Sequence, residues 1–200
     1  MAFEILDGTG NEYQAKVDDR NRLWSDSISR SQLEYAILKG RGFNVSTGGM
    51  TLTSDGASAV GWFKYTGSNI IVISEILVIL GTSTGGSGSG TITILKNPTT
   101  GTIIDNAVPV ASASNRDFSS STLLSATAYK GAEGYTFTDG TTFSVTTRDA
   151  SFSGVVAFDA APIVLRKGNS IGIKFQPASS NTSQTITVAG TVFEETVDIQ

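Results

Sequence analysis

The segment spanning residues 69–80, NIIVISEILVIL, constrains this chain more than any other. Read at the two-residue period of a strand, one face carries Ile70, Val72, Ser74, Ile76, Val78 and Leu80. The other carries Ile71, Ile73, Glu75, Leu77 and Ile79. A strand in a two-sheet sandwich normally turns one face to the core and one to water. Both faces here are apolar, so both are expected to be covered. Each large aliphatic on the second face is worth roughly 1.5–3 kcal/mol when buried, giving an upper bound of order 10 kcal/mol for the row. Left bare, such a row invites aggregation. An N-terminal arm, a long loop or a second subunit would each serve as cover. A homo-oligomer is the favoured reading, with Ile71, Ile73, Leu77 and Ile79 as the expected subunit contacts. The segment is too short to cross a bilayer as a helix and includes Ser74 and Glu75. No membrane partner is expected.

Elsewhere, β-branched residues gather in short runs separated by Gly, Asn, Asp and Pro, as in antiparallel sandwiches and barrels. The pattern predicts strands over residues 50–53, 59–65, 69–80, 91–96, 102–104, 123–128, 136–137, 142–147, 153–158, 163–165, 170–175, 185–189 and 191–197. That number of strands suggests two packed sheets. Residues 81–90, GTSTGGSGSG, are expected to form a mobile hairpin tip. One segment invites a helix: Ser31 and Glu34 fit a capping box and Gly40 a C-terminal stop, although a short extended piece fits equally well.

Composition excludes much chemistry. The chain has 200 residues, enough for one sizeable domain with or without an arm, and a formal net charge of −4. Its cations are scattered, so nucleic acid is not an expected partner. The chain has no cysteine, hence no disulfide framework, thiolate metal site or thiol nucleophile. It has no histidine either, which removes the commonest metal ligand and the usual general base. The opening MAFEILDGTG lacks a basic lead into an apolar run and does not read as a secretory signal, so synthesis in a cytoplasm is expected.

Gly81-Thr82-Ser83-Thr84-Gly85 matches the nucleophile-elbow pattern, but the base that would activate Ser83 has no histidine to supply it. The same loop lacks the lysine of a phosphate-binding loop, and no D-x-D-x-D-G run suggests calcium. Carboxylate hydrolysis is the one catalytic route composition leaves open, through Glu75, Glu133, Asp149 or Asp159. No spacing selects a pair. The expectation is therefore a protein that is not an enzyme and takes no cofactor or metal. A rival reading, a receptor- or carbohydrate-binding module, predicts an exposed aromatic platform built from Trp24, Trp62, Tyr65 or Tyr135.

The first thirty or so residues hold more charge, with spaced apolar residues Phe3, Ile5, Leu6, Tyr13, Val17, Leu23 and Trp24. They read as an attachment arm over residues 1–40, preceding a domain over residues 41–200; a strand of the domain itself is the alternative. Three segments carry a family resemblance. Asp7-Gly8-Thr9-Gly10-Asn11-Glu12-Tyr13-Gln14-Ala15-Lys16-Val17-Asp18 through Asn21-Arg22-Leu23 resembles N-terminal segments of tailed-bacteriophage virion proteins. So do Tyr129-Lys130-Gly131-Ala132-Glu133-Gly134 and the run from Val164 to Ile173. The resemblance implies a capsid decoration (cement) protein or head fibre, usually a jelly-roll β-sandwich that forms trimers. It supplies no active site to carry over. The expectation is thus an all-β, jelly-roll-like antiparallel β-sandwich with an extended N-terminal arm, part of a virion. Its partners would be the major capsid protein or another virion protein, and its own copies. Phe3, Ile5, Leu6 and Tyr13 are the expected shell contacts.

Overall fold

The computed structural model describes residues 31–158 and 162–195. The chain divides into a short unit, Met1–Ser31, and a larger one, Gln32–Gln200. The larger unit contains α1 (Gln32–Leu38), β1 (Gly42–Ser46), β2 (Met50–Leu52), β3 (Ser58–Tyr65), β4 (Ile70–Leu80) and β5 (Ser89–Lys96). It continues with α2 (Thr102–Asn106), β6 (Ser112–Asn115), β7 (Ala126–Lys130), β8 (Thr141–Asp149) and β9 (Gly154–Phe158). The last strands are β10 (Ile163–Arg166), β11 (Ser170–Gln176) and β12 (Gln184–Glu195).

The strands form a seven-stranded sheet in the order β10-β4-β12-β1-β6, with β2 also on β12 and β9 also on β4. A five-stranded sheet faces it in the order β7-β3-β11-β5-β8. Every pairing is antiparallel, and the pairs nest: β1 with β12, β3 with β11, β4 with β9 and β10, β5 with β8. A single long hairpin with its turn between β5 and β8 would have these partners. The β4–β12 and β5–β11 ladders then roll that hairpin into two sheets. This is the jelly-roll arrangement, and the expected all-β sandwich holds; residues 1–30 of the expected arm lie outside the described residues. β6 and β7, inserted with α2 between β5 and β8, extend the two sheets along the same edge.

The core lies between the sheets. Phe43, Leu52, Val60, Ile71, Val78, Ile92, Ile94, Phe175 and Ile186 are all but fully enclosed in it. An apolar gap of about 60 Å³ remains beside Gly61, lined by Val45, Phe63, Ile173 and Val188.

Several local expectations change. Residues 102–104 form part of helix α2, not a strand; Ile103 packs with Ala59 and Trp62, and Ala107 ends the turn in left-handed conformation. Residues 136–137 are a loop. Strands β1 and β6 (GFNVS and SASN) are short and largely polar, which hid them. The two runs expected at residues 185–189 and 191–197 are one strand, β12, running through Gly190. A side chain there would stand 3.0 Å from the Glu75 carbonyl, so Gly190 allows close backbone approach and does not mark a turn.

The Gly-rich segment 81–90 is not a free hairpin tip. It crosses from β4 in one sheet to β5 in the other, and backbone bonds pin it: Ser83 N–H to Ala150, Thr84 N–H to Ser183 and Ser87 N–H to Ser179. The buried Ser83 hydroxyl donates to Asn181 Oδ1 at 2.7 Å, and Asn181 Nδ2 donates to the carbonyls of Leu52 and Ser54. The helical alternative for the segment after Ser31 is the one observed. α1 closes on Gly40 (φ 66°) with Gly40 N–H bonded to Ile37 and Arg41 N–H to Ala36, the paired bonds of a Schellman stop. Residues 32–40, assigned to the arm by sequence, thus belong to the unit that holds the sandwich.

Candidate interaction surface

Strict alternation does not survive in β4. Thr191 of β12 pairs with Glu75, but the next residue, Val192, pairs with Ile73, so Ser74 is an extra residue. Such a bulge swaps the two faces of a strand. Ile71 and Ile73 before it, and Ile76, Val78 and Leu80 after it, all point into the sandwich core. The outer face is Val72, Glu75, Leu77 and Ile79. The Ser74 hydroxyl donates to the Thr191 carbonyl at 3.0 Å, which holds the bulge.

The four β4 residues expected at a subunit contact therefore part company. Ile71 and Ile73 are 0% and 5% exposed inside the core and are not surface residues, a correction that follows directly from the bulge. Leu77 is half-buried on the outer face and Ile79 is 39% exposed there. Phe3, Ile5, Leu6 and Tyr13, the expected shell contacts, lie outside the described residues, as does Trp24.

The outer face has two halves. Near the start of β4, Val72 and Phe193 are covered by Ala36 and Leu33 of α1. Near its end no described element covers it. There Ile79 lies directly opposite Val155, which is 54% exposed, and Leu77 opposite Ala157. On the other flank Ile79 faces Thr187 and Leu77 faces Ala189. The result is an apolar strip across β9, β4 and β12. Sequence reasoning found its β4 half and missed Val155 and Ala157. The run Gly154-Val155-Val156-Ala157-Phe158 holds an alternating pattern, but only pairing with β4 shows which set faces out.

The other sequence-derived candidates are structural. Trp62 stacks on Tyr129 with ring centroids 5.1 Å apart and donates from Nε1 to the Pro98 carbonyl at 2.9 Å. Tyr65 is fully buried; burial, and after it the Glu194 carboxylate, raise its pKa. Tyr135 packs with the Trp62 cluster on the back of the five-stranded sheet. Among the described residues these rings form no open platform.

Nor do the candidate carboxylates converge. Glu133 binds the backbone N–H and hydroxyl of Thr53, and the hydroxyl bond lowers its pKa. Asp149 accepts from Ser89 across the β5–β8 ladder, and Glu75 sits mid-strand opposite Thr191. Asp159 is outside the described residues. Asp139 ties one loop to another by accepting from Thr99 and Thr100. The Thr99 hydroxyl bond is the main cause that holds its pKa down at about 2. Among the described residues no three acids lie close enough to hold a metal, and no helix is long and apolar enough to cross a membrane.

No protein-family model matches the sequence, and no curated protein does. Among solved structures, one similar chain comes from deformed wing virus carrying the GFP gene. It has 10% identity and a TM-score of 0.28, covering 92% of this chain and 94% of that one. Another is the VP2 subviral particle of infectious bursal disease virus, at 10% identity and a TM-score of 0.12, covering 78% of this chain and 39% of that one. Likenesses this faint carry no argument; the fold stands on its strand pairing alone.

Proposed function

We propose that this chain is a non-enzymatic structural protein of a virus particle, a capsid decoration or head-fibre component of a tailed phage. It attaches to the shell and stabilises it as an oligomer, with a trimer favoured. The observation that carries the reading is the strip of Leu77, Ile79, Val155 and Ala157, which no described element covers. It sits on a sheet whose other face is a continuous core, so it is rigid before any partner arrives and little order has to be gained on docking. The half-exposed Ile79 and Val155 side chains would each contribute about 1 kcal/mol when covered. Repeated over several copies, a contact of that size becomes firm attachment. The sequence resemblance to phage virion proteins supplies the kind of partner.

The test is co-sedimentation of the purified protein with phage particles that lack it. Wild-type protein is expected to travel with the particles, and the double variant Ile79→Asp, Val155→Asp to remain behind while keeping its β-sheet circular dichroism. A double variant that decorates particles as well as wild type overturns the assignment of the strip. A wild-type protein that never associates with them overturns the particle role.

A further inference from the structure

The sandwich carries a second pair of exposed apolar features, one on each of its two long edges. On the edge formed by β6 and β7, the loop after β6 raises Phe118 with its whole side chain exposed and Leu123 at 84% exposure. This loop is braced. Asn115 Oδ1 accepts from Asp117 N–H, Asp117 Oδ1 accepts from the N–H and hydroxyl of Ser119, and Asn115 Nδ2 donates to the carbonyls of Gly40 and Thr122. Arg116 turns its guanidinium back to Thr191 on the sheet. What projects is a ring beside one carboxylate, that of Asp117.

On the opposite edge, where β8 and β10 are the outermost strands, a groove of about 530 Å³ opens between the sheets. Phe143 and Ile163 line it, with Leu95 and Ile171 behind them and Asn97 and Asn169 beside them; Phe143 is 59% exposed. Lys96 lines the same groove with its side chain exposed, and Arg166 and Lys167 follow immediately after the β10 residues that line it. The groove mixes apolar and amide side chains and holds one cation, Lys96, with two more at the end of β10. The projection is apolar with an anionic neighbour.

The two also stand at one height. Val164 pairs with Val72, Val72 with Phe193 and Phe193 with Gly42, and the Gly42 carbonyl accepts from Arg116 N–H. One row of the sheet thus leads from the groove to the base of the projecting loop. A copy placed alongside meets the groove without sliding along the strands.

We propose that Phe118 and Leu123 of one copy seat in the Phe143–Ile163 groove of the next, so that the chain assembles head to tail. This deepens the preceding proposal and rests on it for the identity of the occupant, a second copy. The contact is heterologous, since each subunit gives a projection on one edge and a groove on the other. Such contacts close into a ring or run on as a filament, and the shared height favours the ring. A buried aromatic anchor in a pocket, with a charge pair at the rim, is the arrangement that concentrates binding energy.

The experiment is native mass measurement on Phe118→Asp, Phe143→Asp, and their equimolar mixture, with Lys96→Glu replacing the second variant if Phe143→Asp loses its β-sheet spectrum. Wild type is expected as a multimer, each variant alone as a single copy, and the mixture as a dimer and nothing larger, because only one intact projection and one intact groove remain. Phe118→Asp that keeps the wild-type mass, a mixture that does not pair, or a wild type that is a single copy each overturns the head-to-tail contact. A single-copy wild type that still binds particles leaves the particle role standing. A wild type that assembles through Phe118 but ignores particles does the reverse.

Discussion

Gly61 and Gly131 sit on facing stretches of chain around Ala59 and Val60, and the same substitution has opposite consequences at each. A Cβ on Gly61 would meet Ile173, Thr47 and Val188 at 3.6–3.7 Å, ordinary packing distances, beside the 60 Å³ gap. Gly61→Ala is expected to raise stability by about 0.4–1 kcal/mol, because the unfolded chain loses freedom and the folded one gains contact. A Cβ on Gly131 would lie 1.7 Å from the Ala59 carbonyl, so the backbone itself must move. Gly131→Ala is expected to cost at least about 1–3 kcal/mol. Denaturant midpoints for the two variants check both signs. The pair also shows what residue-level reading could reach. Gly131 belongs to a segment singled out by resemblance, and its requirement is now physical: backbone meets backbone. Gly168 in the Val164–Ile173 segment takes φ 87° in the turn between β10 and β11, a left-handed conformation glycine adopts without strain. Phe118 was missed, although one ring among Asn, Asp and Ser is a turn signal with nothing nearby to bury it.

At the scale of elements, β4 shows why a correct strand assignment misplaced half of its proposed contacts. Its length, type and greasiness were legible, and the bulge at Ser74 was not, because a single extra residue leaves no mark in an unbroken apolar run. A sharp prediction follows from the face swap. Ile71→Ala is expected to cost about 2–5 kcal/mol as a core truncation, and Ile79→Ala less than about 1 kcal/mol, as a half-exposed site. Strict alternation puts both residues on one face and predicts similar losses. Urea unfolding of the two variants decides between them. Loop linkage gives a second prediction. Because the folded-state pKa of Asp139 is depressed from 3.8 to about 2, its contribution is present above 3.8 and is lost as pH falls through about 2. Asp139→Asn should therefore be less stable than wild type near neutral pH, with the gap narrowing over that acid range. Unfolding midpoints measured across it test the sign.

For the whole molecule, two packed sheets followed from the rhythm of short strands, while jelly-roll order came only by resemblance. Which strands pair is a matter of nesting, and nesting has no local trace: β5 and β8 lie side by side although α2, β6 and β7 intervene in the chain. Among the described residues the aromatic-platform rival lost its support at this scale too, since Tyr65 is spent in the core and Trp62 and Tyr135 in the cluster on the back of the five-stranded sheet. A particle role asks for what the nested arrangement provides, a stiff body with different chemistry on its face and on its two edges.

The last strand is not at a margin. β12 runs through the middle of the seven-stranded sheet, flanked by β4 on one side and by β1 and β2 on the other. A polypeptide still emerging from the ribosome can form the β5–β8 hairpin early, and β11 can join β3 to β5, but the seven-stranded sheet cannot join β4 to β1 until residues 184–195 arrive. A chain cut short before Gln184 would lack the strand that flanks the strip on β4 and that carries Phe193 in the row joining the two edges. Loss of β12 would thus split the seven-stranded sheet at its centre, where loss of an edge strand would only shorten it.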